Sequence, residues 1–131
     1  MLRLVAMGIF GLIFLAEAGD IYGLLLTLAD PASTADRFGI AVGAEVLRTG
    51  VLLLLALVVS VGALLAVVGL LLRRPALFHQ SALACALGYL VYGLFQVADG
   101  ALQVGSGVVV VAGLIYVVLG GIAFAMHRSV F

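Results

Sequence analysis

Leu4–Ala29, LVAMGIFGLIFLAEAGDIYGLLLTLA, is an apolar run interrupted only by two carboxylates, Glu17 and Asp20. A helix rises 1.5 Å per residue, so about 20 apolar residues cross the hydrocarbon of a bilayer. The stretch therefore reads as a membrane helix with an acidic site inside it. An ionisable side chain at that depth costs from about 2.5 kcal/mol upward, so the pair is expected to face a protein interior, a wet cavity or a partner. The run stops at Asp30-Pro31, because the residue before a proline is disfavoured in helical geometry.

The rest of the composition agrees with this reading. The chain has 131 residues, 66% hydrophobic and 9% charged, with a mean hydropathy of +1.43. Soluble domains carry about 25% charged residues, so an integral membrane protein within a lipid bilayer is expected. Six Arg, no Lys and six acidic residues give no formal net charge and no basic patch for phosphate contacts, which excludes nucleic acid as a partner. The single Cys85 permits neither an internal disulfide nor a multi-cysteine metal site, and packing is its simplest use. Arg3, the apolar run and Ala16-Glu17-Ala18 imitate a secretory leader with its cleavage site. Apolar sequence continues to Ala29, however, and an uncleaved membrane helix is the expectation.

Three further spans follow. Residues 31–44 are more polar; Ser33-Thr34-Ala35-Asp36 resembles a helix start, and Phe38, Ile40 and Val42 suit the membrane interface, so a short interfacial helix is expected. Helices are then expected over about 45–72, 76–98 and 103–126, in addition to the first over 4–29. The expected architecture is all-α: one transmembrane domain, residues 1–131, forming an up-down bundle of four helices, the last two an antiparallel hairpin. Arg3, Arg73, Arg74 and Arg128 mark one side, whereas Asp30, Asp36, Glu45 and Asp99 mark the other with only Arg37 and Arg48 as cations. The positive-inside rule then places both termini in the cytoplasm, in a bacterial-type inner or plasma membrane.

An internal similarity points to two repeated hairpins. Tyr22-Gly23-Leu24 before Ala29-Asp30-Pro31-Ala32 echoes Tyr92-Gly93-Leu94 before Ala98-Asp99-Gly100-Ala101, with one residue of gap. Such copies would be related by a pseudo-twofold axis along the membrane normal. Aligned back from the tyrosines, Glu17 falls opposite Leu87 and Asp20 opposite Leu90, so the acids belong to one half only.

Glu17 and Asp20 are three residues apart and share a helix face. Two carboxylates so close in a medium of low dielectric do not both ionise readily, which is what a proton-exchange or cation site requires. Counting rise from the helix ends brings Tyr89, Tyr92 and Tyr116 to similar depth, as hydroxyl partners for the acids. Arg48 lies one turn inside the second span and is expected either to snorkel to the headgroups or to reach the acids and modulate their charge. Gly19 and Gly23 offer a smooth face for close approach of another helix beside Asp20. Read structurally, the acids would instead be interhelical glue, worth about 0.6 to 2 kcal/mol per bond.

His79 and His127 come out at one depth in an antiparallel hairpin. Two such histidines can clamp a haem or a metal, but the plainer expectation is two wet interfacial side chains, with neither metal nor cofactor. No phosphate cradle, nucleophile elbow or zinc helix occurs in the sequence, and an enzyme is not expected.

Within the first helix, Leu15-Ala16-Glu17 resembles the segment around the essential glutamate of the small multidrug resistance transporters, which also carry four helices in a short chain. The resemblance ends in that helix: the family has a tryptophan in its third helix and a shorter outer loop, whereas this chain has no tryptophan. It serves as an analogy for such a carboxylate and implies no membership. Two functions are expected from these readings. One is proton- or cation-coupled transport of a small solute by a homo-oligomer; the other is an accessory subunit docked on other membrane subunits.

Overall fold

The computed structural model describes residues 1–130, with the side chains of Phe38, Gln103 and Val104 outside that description, so the expected interfacial role of Phe38 is not addressed. The described residues form α1 (Leu2–Ala29), α2 (Pro31–Phe38), α3 (Val42–Leu71), α4 (Pro75–Asp99), a π-helical turn (Gly100–Val104) and α5 (Gly107–Ser129), with no strand among them. Four of these stretches, Leu2–Ala29, Val42–Leu71, Pro75–Leu102 and Gly107–Ser129, are long and apolar enough to cross a membrane.

Local chemistry sets the boundaries. Pro31 and Pro75 open α2 and α4, where the missing N–H is not needed and the fixed φ suits a first turn. Gly39 closes α2 in the left-handed region at φ 68°, donating its N–H to the Ala35 and Asp36 carbonyls. Between α3 and α4, Arg73 takes φ 54° and the Arg74 N–H donates to the Gly69 carbonyl at 2.9 Å, a tight reversal. Helix α5 starts at Gly107 rather than near Gln103. The π turn and left-handed Gly105 use up the intervening residues, and the Ser106 hydroxyl then accepts the Val109 N–H.

The long helices pack in the order α1, α3, α4, α5, while α1 and α5 barely touch. Two glycine contacts explain the closest approaches. A Cβ on Gly69 would lie 2.7 Å from the Phe78 backbone nitrogen, and one on Gly113 would lie 2.7 Å from the Gly93 carbonyl oxygen, so α3/α4 and α4/α5 meet backbone to backbone. The core between α1, α3 and α4 contains Phe10, Ile13, Val59, Ala63, Leu70, Phe78 and Cys85, with the Phe10 and Phe78 rings edge to face at 5.8 Å. Leucines and valines cover the outward faces, as a lipid environment requires.

The repeat is not supported by this packing. A twofold relating the two hairpins would make the α1–α5 contact equivalent to α3–α4, yet α3 and α4 pack along their length and α1 and α5 do not. The matched tyrosines differ as well: Tyr22 is 66% exposed and Tyr92 is 3% exposed.

Candidate functional site: two buried polar clusters

Ala6, Phe10, Ile13 and Glu17 form the buried stripe of α1, with the three- and four-residue spacing of one helix face. Glu17 is therefore turned into the protein by the same periodicity that buries its apolar neighbours, and it is fully buried. The Tyr89 hydroxyl of α4 donates to Glu17 Oε1 at 2.9 Å, and the Tyr116 hydroxyl of α5 donates to Asp20 Oδ2 at 2.6 Å. Tyr116 stacks on Tyr89 at 5.6 Å between ring centroids and meets Tyr92 edge to face at 4.6 Å. Three tyrosines from two helices thus surround two carboxylates from a third. Tyr92 joins through its ring, against Tyr116, and not by a hydrogen bond to either acid.

Glu17 Oε2 is buried with no hydrogen-bond partner. Asp20, half-buried, stands three residues on along the same helix, so the two acids are neighbours. With both ionised, neither carboxylate can donate, and the oxygen stays unsatisfied.

Arg48 corrects the expectation. It neither snorkels nor pairs with Glu17 or Asp20. It is buried on α3, where its Nε and Nη2 donate to the two oxygens of Glu45 at 3.0 and 2.9 Å, and its Nη1 donates to Asp99 Oδ2 of α4 at 3.2 Å. Thr49 adds a bond from its hydroxyl to Glu45 Oε1 at 3.0 Å. Pairing wins over snorkelling because Glu45 is also buried, and an unpaired charge there would cost far more than a stretched side chain gains. Glu45, Thr49 and Asp99 were not singled out as site residues from the sequence. The Glu45, Arg48 and Thr49 spacing, i, i+3 and i+4, was the available signal for an acid, a base and a hydroxyl on one face.

Gly19 and Gly23 meet no helix of this chain: nothing lies within 4 Å of where their Cβ atoms would be. The buried stripe takes the opposite side of α1, which leaves these glycines facing outward. His79 and His127 do lie together, with ring centroids 5.2 Å apart in an edge-to-face contact beside Phe78 and Phe124. Among the described residues, no group of three or more His, Cys, Asp or Glu side chains could hold a metal ion.

The open seam between α1 and α5 is a cavity of about 350 Å³, walled by Ile9, Leu12, Ile13 and Ala16 of α1 and by Leu119 and Ile122 of α5, with Tyr89 between them. Tyr89 thus touches both an apolar groove and Glu17. A larger groove of about 520 Å³ along α3 and α4, bordered by Leu57, Val61, Leu65 and Gln80, has no ionisable group in its wall. The α1–α5 groove combines an apolar wall with a link, through Tyr89, to the buried Glu17.

No family model, curated protein or solved structure matches this chain.

Proposed function

We propose that the protein is a small membrane transporter or ion-pathway component, in which Glu17 and Asp20 take up a proton or cation in exchange for a small solute. The observation that carries this reading is the unpartnered, buried Glu17 Oε2 beside a second carboxyl and away from any paired cation. One proton shared between Glu17 and Asp20 supplies the missing hydrogen bond, and a cation placed between them does the same service. Tyr89 and Tyr116 each hold the other oxygen of their acid, fixing the carboxyls while leaving the inner oxygens to change partner. The α1–α5 seam is the lateral entrance, with Tyr89 as the contact between solute and acid.

In this reading the helices form an up-down bundle in a cell membrane of the bacterial inner type. The Arg73-Arg74 turn and both chain ends face the cytoplasm, and α2 lies in the opposite interface. So small a protein encloses little volume, so it works as a homo-oligomer, joined through the outward glycine face of α1. Arg48, spent on Glu45 and Asp99, has no part in the exchange.

The test is proton flux in proteoliposomes loaded with a pH-sensitive dye, under a potassium diffusion potential, with sodium or potassium outside. Wild type is expected to acidify the lumen faster than empty vesicles, and Glu17→Gln to return the rate to that of empty vesicles. Equal rates for wild type and empty vesicles under every cation would overturn proton coupling.

The open face at Gly8, Gly11, Gly19 and Gly23 favours one other reading, an accessory subunit covered there by a helix of a larger complex. Native mass spectrometry of gently extracted protein separates the two. A homo-oligomer supports transport, and a stable hetero-complex supports the accessory role.

A further inference from the structure

The second cluster is incomplete in a specific way. Glu45 is saturated: both oxygens accept from Arg48, and one accepts also from Thr49. Asp99 receives a single bond, at 3.2 Å to Oδ2, and its Oδ1 is buried with no partner. The residue is only 5% exposed. Two acids against one guanidinium leave the group one positive charge short. Asp99 also forms part of the wall of a cavity of about 230 Å³ with Phe95, Ala98 and Leu102. It stands three residues before the end of Pro75–Leu102, a stretch long and apolar enough to cross a membrane.

We infer that this cavity binds a primary ammonium group attached to an apolar body, with Asp99 Oδ1 accepting one of its N–H bonds. The donor set selects that chemistry. A hard metal ion wants six or more oxygen ligands, and the cavity wall offers one carboxylate. A guanidinium would use both oxygens of a carboxylate side by side, and Arg48 already holds one of them. A quaternary ammonium brings charge but no N–H, so the oxygen would remain unsatisfied. An ammonium has three N–H donors on a compact centre, which suits a single free oxygen. Phe95, Ala98 and Leu102 then cover the carbon portion. Two sources carry this chemistry: the headgroup of an ethanolamine phospholipid and a free alkylamine.

This site is separate from Glu17 and stands or falls apart from the transport reading. The experiment uses the full chain in phosphatidylcholine nanodiscs, with native mass spectrometry reading retained molecules as phosphatidylethanolamine, octylamine or octyltrimethylammonium is titrated in. Phosphatidylethanolamine or octylamine is expected to be retained about tenfold better than its trimethylated counterpart, the size of one charge-assisted hydrogen bond. Retention of the phospholipid identifies the headgroup as the source, and retention of octylamine alone identifies a free amine. Asp99→Asn is expected to abolish the preference. Should that variant fail to fold, Ala98→Phe fills the cavity from an exposed position without touching the charges, and it is expected to abolish the preference too. Equal retention of amine and trimethylammonium forms, or a preference that survives Ala98→Phe in folded protein, would overturn the site.

Discussion

The two buried polar clusters share a carboxylate pair and differ in one respect: one contains its own cation. Around Arg48, the guanidinium and two acids come from the same chain and close on each other within 2.9 to 3.2 Å. Around Glu17 and Asp20 the partners are tyrosine hydroxyls, which donate hydrogen bonds without bringing charge. A guanidinium held between acids of two helices ties those helices together. A cluster of acids and hydroxyls carries no positive charge of its own, and in the proposed reading it takes a proton or cation from outside.

Substitutions sharpen this contrast, and the largest effect is expected at the cluster that holds the guanidinium. Arg48→Met leaves Glu45 and Asp99 buried without a counter-charge and is expected to cost about 3 to 5 kcal/mol of folding stability. The midpoint of unfolding in denaturing detergent measures it, and a loss below about 1 kcal/mol would remove the structural role. Gly113→Leu should be comparably damaging, since even a Cβ there meets the Gly93 oxygen at 2.7 Å. Its readout is loss of a folded species by size exclusion.

The acid cluster should respond oppositely. Glu17→Gln keeps an acceptor for Tyr89 and removes a charge, so stability should change by no more than about 1 kcal/mol while proton flux disappears. A large destabilisation with unchanged flux would reverse the assignment of the two clusters. Tyr116→Phe removes one hydroxyl from Asp20 and is expected to cost about 1 kcal/mol and to slow flux without abolishing it. Smallest of all, Gly19→Leu adds a side chain into open space and should leave the folded protomer unchanged. Its effect should fall on the oligomer alone, as a shift toward smaller mass in native mass spectrometry.

How much of this was legible in the sequence follows from which interactions are local. The membrane-crossing helices were readable because a long apolar run and the breaks at Asp30-Pro31 and Arg74-Pro75 are written contiguously. The acid pair was readable for the same reason, and rise per residue brought Tyr89 and Tyr116 to its depth. Partner choice was not readable. Depth alone left Arg48 between the headgroups and the Glu17–Asp20 pair; Glu45 is a neighbour on its own helix, and only the packing of α4 against α3 brings Asp99 to it. Gly19 and Gly23 are a related case: their spacing shows that a backbone could approach, while the burial of Phe10, Ile13 and Glu17 on the far side of α1 decides that none in this chain does. The repeat rested on short matches in apolar sequence, and such matches arise readily without common geometry. The π turn at Gly100–Val104 likewise depends on a tertiary contact, for a Cβ on Gly100 would lie 2.9 Å from the Val110 nitrogen.

The central claim is that Glu17 and Asp20 share one exchangeable proton. Infrared difference spectroscopy of the reconstituted protein tests it most directly, through the C=O stretch that only a protonated carboxyl shows. The account predicts a band that shifts when water is replaced by D2O and that is lost in both Glu17→Gln and Asp20→Asn, because either substitution removes one side of the shared bond. A band surviving both substitutions, or no protonated-carboxyl band at any bath pH at which the protein stays folded, would contradict it.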